Sequence, residues 1–246
     1  MTYCVGTLTA EGLVMLADTR TNAGIDHIST FRKLKIWKRP GERLVALMSA
    51  GNLAVTQAVV GLLEERMEDN SVDPGETILG APSMFAVARL VGAAIRDVRE
   101  VDGPSLEQGA HGFNATFLLG GQIAGRKLRL YQIYAEGNFI EATEDTPFFQ
   151  IGETKYGKPI LDRVMTFGVP VKEAAKVCLI SMDSTLRSNM SVGLPLDLMV
   201  YRRDHPGEHI ERRIAEGDPY FEDIRHRWSE ALRSAYRGIA DVPLDG

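Results

Sequence analysis

The N-terminal segment carries a threonine that can act as a nucleophile once its own amino group is free. Thr2 directly follows Met1, so removal of one residue would give the threonine a free α-amine. A threonine hydroxyl needs a neighbouring base to accept its proton, and an N-terminal amine can be that base. With an ordinary pKa of about 7.7–8.0, this amine is partly neutral at cellular pH. Because Met-Thr beginnings are common, Thr2 predicts this chemistry only together with other residues.

Two charged residues further along the chain are candidates to support Thr2. Asp18 ends the apolar run LVMLAD, and Lys33 lies in STFRKLKIW. A buried lysine near Thr2 would lower the proton affinity of its amine by like-charge repulsion. Each residue also has a plain structural interpretation, in which Asp18 caps a loop or forms a salt bridge and Lys33 is solvated among basic neighbours.

A glycine between an apolar run and a helical pattern offers a candidate oxyanion site. In LVALMSAGNLAVTQAVV, Gly51 separates a predicted strand from a predicted helix. Amide groups at a helix N-terminus point outward with the positive end of the helix dipole. Gly51 would let the backbone approach a substrate carbonyl closely, although glycine is also common in ordinary turns.

The composition is that of a globular protein without metal, cofactor or disulfide signals. The 246 residues are 44% hydrophobic and 25% charged, with a net charge of −5, which gives no reason to expect a nucleic-acid or membrane partner. Cys4 and Cys178 cannot form a disulfide framework, and no Cys/His spacing indicates zinc. His205 and His209 are separated by Pro-Gly, which predicts loop residues.

The sequence also lacks the signals of export and membrane insertion. No apolar run approaches the roughly 18 residues that span a bilayer. Glu11 and Asp18 fall where the apolar region of a secretory signal would lie. We therefore expect a cytoplasmic protein.

The order of predicted elements indicates an α+β fold. Two hairpins come first, then two helices, a second block of strands, helices near 155–167 and 171–187, two more strands and a helix near 219–239; a Gly-containing loop is predicted at 103–112. Strands grouped in blocks favour antiparallel sheets over a doubly wound parallel sheet. We predict a four-layer αββα sandwich, two antiparallel sheets between helix pairs, formed by one domain over 1–246.

The succession of an N-terminal Thr, a strand-end Asp, a Lys and a strand–Gly–helix unit resembles the proteasome β-subunit family of N-terminal-nucleophile hydrolases. The segments MTYCVG, LADTRTNAG and SMDSTLRSNMSVGLPLDLMVY are similar to the bacterial Anbu branch of that family. The resemblance covers about 2–202, and 203–246 form a C-terminal extension.

The resemblance implies an αββα sandwich, amide-bond hydrolysis and self-assembly into a homo-oligomeric ring or ring-like shell. By position, Thr2 would be the nucleophile and, through its amine, the general base. Asp18 would orient and charge-pair Lys33, which would tune the amine. The amide of Gly51 would stabilise the tetrahedral intermediate.

Two further positions follow from the same resemblance. Ser191 would belong to the hydrogen-bond network of the amine, and Leu53, which would face the substrate pocket, is the candidate specificity residue; a core leucine is the alternative. The substrate would be a peptide or protein, and no cofactor is implied. The resemblance leaves open whether an unfoldase is a partner. In the C-terminal helix, Trp228 and Tyr236 favour an interface with a neighbouring subunit over a cover for the chain's own core.

Two departures from the family pattern leave alternatives open. Glu153 stands in QIGETKYG where the family has a supporting serine, and Ser188 stands where it has an aspartate. They motivate a second hypothesis, a proteasome-like scaffold or binding shell with weak or no activity. A third uses Cys4 as the nucleophile, which would require removal of three residues.

Overall fold

The strands and helices follow the predicted block order. The computed structural model describes residues 2–22, 28–108 and 112–244. The strands are β1 (Tyr3–Leu8), β2 (Gly12–Asp18), β3 (Arg20–Asn22), β4 (Ile28–Thr30), β5 (Leu34–Arg39), β6 (Arg43–Gly51), β7 (Ala115–Ile123), β8 (Arg129–Ile133), β9 (Phe139–Glu141), β10 (Phe148–Gly152), β11 (Leu196–Arg202) and β12 (His209–Ile214). The helices are α1 (Leu53–Glu68), α2 (Met84–Glu107), α3 (Lys158–Val164), α4 (Val171–Ser188) and α5 (Pro219–Arg237), with a 3₁₀ turn at Pro74–Glu76.

Ten of these strands form two five-stranded antiparallel sheets. The first sheet has the order β10-β1-β2-β11-β12, and the second has the order β5-β6-β7-β8-β9. The strands β3 and β4 form a separate two-stranded ribbon. Thus β1, which begins next to Thr2, lies inside the first sheet rather than at its edge.

The residues of β2 show why the sequence does not alternate between apolar and polar side chains. Leu13, Met15 and Ala17 belong to the core between the two sheets. Val14 and Leu16 belong to the core between the first sheet and the helices that cover it. Because successive side chains point to opposite faces of a strand, a strand covered on both faces is apolar throughout.

The helices supply the two outer layers of the predicted sandwich. Residues of α1 and α2, among them Val59 and Val91, share a core with Val45 and Leu47 of the second sheet. Helices α3 and α4 contribute to the core that covers the first sheet. The predicted αββα arrangement of antiparallel sheets is therefore confirmed.

Several predicted boundaries are wrong, for local reasons. Helix α2 continues through Gly103 and Pro104 to Glu107 instead of ending in a loop, because Pro104 lies in the last turn and removes only one helical hydrogen bond. The helix predicted at 155–167 is limited to α3. Strands β3, β4 and β10 were not predicted; residues 109–111 of the predicted loop and 23–27 of the polar stretch after β2 lie outside the described residues.

The C-terminal extension adds to the first sheet and to its helical layer. Strand β12 pairs with β11, which confirms the last two predicted strands. His209 begins β12, so its interpretation as a loop residue is wrong. Phe221 and Ile224 of α5 are buried, and Arg225 Nε donates to the fully buried Asp183 of α4 at 2.9 Å. Beyond Ser229 the described part of the extension is exposed. No helix in the described ranges is long and apolar enough to cross a membrane.

Candidate active site

Thr2 is held at the start of β1 by the end of β10. Only 8% of Thr2 is exposed, and its carbonyl accepts a hydrogen bond from the Glu153 amide at 2.7 Å. Gly152, which pairs with Tyr3, has φ of +83°, and a Cβ there would overlap the Thr2 carbonyl. Only glycine fits this close approach, so β10 fixes the position of Thr2.

A buried ion pair lies one peptide bond from Thr2. The Lys33 ammonium is 2.7 Å from Asp18 Oδ1, and the side chains are 4% and 0% exposed, respectively. The same carboxylate oxygen accepts a hydrogen bond at 3.0 Å from the Tyr3 amide, which belongs to the peptide that joins Thr2 to Tyr3. Lys33 also donates to the Arg20 carbonyl at 2.7 Å. The structure thus joins the predicted Asp18 and Lys33 to the N-terminal strand.

Burial raises the pKa of the Asp18 carboxyl above its ordinary value, while Lys33 and the amides of Tyr3 and Gly193 act in the opposite direction. The Gly193 amide reaches Asp18 Oδ2 at 3.3 Å, so both carboxylate oxygens are engaged. A buried carboxylate needs such partners because it has lost its hydration. Protonation of Asp18 at acidic pH would remove the partner of Lys33.

Ser191 lies in the loop between α4 and β11, which also carries Gly193. Its amide donates to Asn189 Oδ1 at 2.9 Å, and Asn189 Nδ2 donates to Glu153 Oε2 at 2.9 Å. The structure shows no hydrogen bond between the Ser191 hydroxyl and Thr2, both of which it describes. It therefore places Ser191 in a loop bound to Asp18 and Glu153, without direct contact to the threonine through a hydrogen bond.

Gly51 ends β6 immediately before the N-cap of α1. Its φ is +120°, and a Cβ there would overlap the Asn114 carbonyl, which requires glycine. Asn52 caps α1 by accepting the Ala54 amide at 3.0 Å. Gly51 is exposed, so its backbone is accessible at the helix N-terminus, as the strand–Gly–helix pattern predicts.

A cleft of about 720 Å³ opens beside these elements. Lys33 and Leu53 line it, together with Ser49 and Gln57. Its opposite side comes from β11 and β12. The predicted specificity residue Leu53 and the predicted lysine thus line one cleft. Thr2, Asp18, Gly51 and Ser191 are not among its lining residues.

Solved structures of high similarity identify the family of the chain. An Anbu (Gly-1) mutant from Hyphomicrobium sp. strain MC1 is 51% identical over 99% of this chain and 100% of its own, with a TM-score of 0.92. Anbu (ancestral beta-subunit) from Yersinia bercovieri is 49% identical over 99% of this chain and 100% of its own, with a TM-score of 0.91. This chain belongs to the Anbu family.

A third Anbu structure supports the same relationship. The Anbu complex from Pseudomonas aeruginosa, described as a helical assembly, is 47% identical over 98% of both chains, with a TM-score of 0.92. Neither a protein-family model nor a curated protein sequence matches this chain. The predicted resemblance to the Anbu branch of proteasome-like proteins is confirmed.

Within this Anbu chain, several contacts of the site were not predicted from the sequence. The sequence marks Glu153 as a departure from the family pattern. It does not predict the hydrogen bond from the Glu153 amide to the Thr2 carbonyl, or the hydrogen bond from Asn189 to the Glu153 carboxylate. Arg20 was missed as well; its carbonyl accepts from Lys33, and its guanidinium donates to the Met190 carbonyl at 2.9 Å. A local sequence pattern does not predict a contact such as that of Arg20 with Met190, which are 170 positions apart. The signal available for Glu153 was its place in QIGETKYG, where the family has a supporting serine.

Cys4, the nucleophile of the third hypothesis, is a core residue of this Anbu chain. It is 0% exposed within β1, and burial raises the pKa of its thiol. A thiol is nucleophilic as the thiolate, so this environment opposes reactivity. Among the described residues, no group of three His, Cys, Asp or Glu side chains is placed to hold a metal ion.

Proposed function

We propose that this Anbu chain is a self-assembling threonine peptidase or amidase that uses Thr2, after removal of Met1, to hydrolyse peptide bonds. The observation that carries the proposal is the buried Asp18–Lys33 pair, bound to the amide that follows Thr2. A buried pair is costly to desolvate, and removal of one partner is strongly destabilising. Because the pair lies beside Thr2, its charges can act on the α-amine of that threonine.

In the proposed reaction, the α-amine of Thr2 takes the hydroxyl proton as Oγ attacks the substrate carbonyl carbon. The amide of Gly51 donates to the resulting oxyanion. The protonated amine then gives its proton to the departing amine, which leaves an ester on Thr2. Water, activated by the same amine, hydrolyses the ester and restores the threonine.

The Asp18–Lys33 pair sets the electrostatics of this reaction. The Lys33 ammonium lowers the proton affinity of the Thr2 amine, so more of the amine is neutral at cellular pH. Asp18 holds Lys33 in place and fixes the Thr2–Tyr3 peptide. The loop with Ser191 supports the site indirectly, because its Gly193 amide donates to Asp18 Oδ2. Peptide substrates bind in the cleft lined by Lys33 and Leu53.

Self-assembly is the second part of the proposal. The Pseudomonas aeruginosa relative is described as a helical assembly. In this chain, the exposed end of α5 presents Leu232 and Tyr236, which are 51% and 61% exposed. Exposed apolar side chains at helical spacing are suited to burial against a second copy. We propose a cytoplasmic homo-oligomer that is ring-like, with no nucleic-acid or membrane partner.

A second candidate function is a proteasome-like scaffold with weak or no activity. The observation that favours it is Glu153, which stands where the family has a serine and engages Asn189 and, at 3.7 Å, Lys155. A carboxylate in this place changes the charge around the Thr2 amine. Under this hypothesis the assembly persists while turnover is absent.

Peptide turnover by the purified protein separates the two functions. We expect Thr2→Ala to abolish cleavage of a broad peptide mixture and Thr2→Ser, which keeps a hydroxyl, to retain part of it. Cleavage that survives Thr2→Ala would show that Thr2 is not the nucleophile. Absence of Thr2-dependent turnover in a correctly processed, assembled protein would support the scaffold.

A further inference from the structure

The wall of the cleft opposite α1 holds a carboxylate with an unused acceptor. Asp197 of β11 is 7% exposed and pairs with Arg213 of β12 in the sheet register. Arg213 Nη1 donates to Asp197 Oδ1 at 2.8 Å. Oδ2 is buried and has no hydrogen-bond donor among the residues that the structure describes. Buried polar atoms nearly always have a partner, so this oxygen calls for one from outside the chain.

Asp197 points into the cleft that holds Lys33 and Leu53. Its neighbours Met199 and Tyr201, two and four positions along β11, belong to the core between the sheets, so alternation places Asp197 on that inner face. Asp197 and Arg213 both line the cleft. Asp197 therefore forms part of a wall that a bound substrate would contact.

The other acidic groups of the cleft already have partners. Glu64 binds Lys35 at 2.6 Å, and Glu211 lies 2.6 Å from His209.

Two basic groups of the lining are also neutralised or screened. Arg212 binds Asp218 at 2.7 Å. Arg32 is exposed to solvent, which screens its charge. Asp197 is thus the buried carboxylate of the cleft that can accept a further hydrogen bond.

The rest of the lining suits a long side chain with a polar end. The cleft is bordered by Ile36, Leu47, Leu53, Val60 and Leu198. Lysine and arginine pack their methylene stems on apolar surface and extend their charged ends to polar partners. A carboxylate oxygen only accepts hydrogen bonds, and its strongest partners are cationic donors.

We propose that Asp197 selects a basic side chain, arginine or lysine, in the peptide that occupies this cleft. The inference rests on the proposed function, since it takes the cleft as the substrate site of the threonine hydrolase. Asp197 acts as a specificity residue and takes no part in bond cleavage. The basic side chain donates to Oδ2 while Arg213 keeps Oδ1.

Binding of blocked tripeptide amides tests the selection without requiring turnover. The peptides end in arginine, citrulline, leucine or glutamate and are titrated into the full-length protein by calorimetry or NMR. Citrulline has the shape of arginine without its charge. We expect the arginine peptide to bind about tenfold more tightly than the citrulline peptide, because a charge-assisted hydrogen bond is lost.

Variants locate the effect. Asp197→Asn should remove the tenfold difference, and Arg213→Gln should increase it, because both carboxylate oxygens then face the ligand. The control is Glu141→Gln, which changes an acid paired with Arg129 in the second sheet, away from the cleft, and should leave the difference intact. Equal binding of arginine and citrulline peptides, or an unchanged difference in Asp197→Asn, would overturn the inference.

A labelling experiment separates failure of this inference from failure of the proposed hydrolase. A small electrophile without a side chain reports only on the reactivity of Thr2. Labelling of Thr2 without an arginine preference in binding would overturn the role of Asp197 and retain the hydrolase. An arginine preference that depends on Asp197, in a protein whose Thr2 never labels, would support the binding site and reject the hydrolase.

Discussion

Lys33 and Asp18 form an ion pair of 2.7 Å whose two side chains are almost completely withdrawn from water. Asp18 ends β2, and Lys33 precedes β5, so the pair connects the two sheets at the end where Thr2 precedes β1. Because the carboxylate also binds the Tyr3 amide, the position of the threonine and the position of the lysine depend on one side chain.

Loss of one member of this pair should cost more than loss of both. Asp18→Ala leaves a buried ammonium without its partner, and we expect a decrease of about 3–5 kcal/mol in the free energy of unfolding. The double variant Asp18→Ala/Lys33→Met removes the stranded charge and should recover a large part of that loss. Urea unfolding of the variants measures both values.

The exposed pair Lys158–Asp162 provides the control for this comparison. Its ammonium and carboxylate are 2.6 Å apart, but its side chains are 54% and 47% exposed. Exposed pairs contribute about 0–1 kcal/mol, so Asp162→Ala should change stability little. Equal effects of Asp18→Ala and Asp162→Ala would contradict the importance of the buried pair.

Gly152→Ala should displace Thr2. The variant must adopt a φ of +83° and avoid overlap with the Thr2 carbonyl. Gly41→Ala is the matched control, since Gly41 has φ of +76° with open space around its Cβ position. We expect Gly41→Ala to lose about 1–2 kcal/mol from the left-handed backbone alone, and Gly152→Ala to lose more.

Thermal unfolding gives the stability of these two glycine variants, and the rate of Thr2 labelling gives the effect on the site. Labelling should fall in Gly152→Ala and remain unchanged in Gly41→Ala. Two variants with the same stability and the same labelling rate would show that the close approach of β10 does not position Thr2.

Glu153 should matter through its hydrogen bond to Asn189. Glu153→Ala leaves the Asn189 amide without its acceptor, loosening the loop that donates the Gly193 amide to Asp18. A hydrogen bond to a charged group contributes about 1.5–3 kcal/mol, so we expect Thr2 labelling to slow by roughly tenfold or more. Glu153→Gln keeps a carbonyl acceptor and should have a smaller effect. Identical rates in the two variants would exclude this role.

The two thiols should resist alkylation in the folded protein. Burial raises the pKa of Cys178 to about 12 and also raises that of Cys4. An ordinary thiol, with a pKa of about 8.5, is half thiolate at pH 8.5, whereas these two remain protonated there. Iodoacetamide at pH 8.5 should modify neither thiol until denaturant is added, and both afterwards. Rapid modification of Cys4 in the native state would revive the cysteine hypothesis.

The four layers of the fold could be predicted from the sequence because a strand buried on both faces is apolar throughout. The apolar runs of β1 and β2 reflect strands that are covered on both faces. In α5 the apolar spacing corresponds to a covered face only at Phe221 and Ile224. The polar β3–β4 ribbon has no such pattern. At Gly103-Pro104, the turn signal is the same whether the residues end a helix or occupy its last turn.

The candidate site could be predicted only in part. Thr2, Asp18 and Lys33 were found because their order along the chain matches a known family. Tertiary packing brings together the partners of the other hydrogen bonds of the site, which run from the Gly193 amide to Asp18 and from Asn189 to Glu153. The unused oxygen of Asp197 is likewise visible only when β11 and β12 are paired.

The intact mass of the purified, assembled protein, before and after reaction with a threonine-directed electrophile, is the most direct test of the central claim. Met1 lies outside the described residues, and its presence would lock the Thr2 nitrogen in a peptide bond. We predict a protein that begins at Thr2 and gains one adduct, which fragmentation places on Thr2 and which Thr2→Ala lacks. Turnover of peptides by a protein that retains Met1, or an equal adduct in Thr2→Ala, would contradict the proposed chemistry.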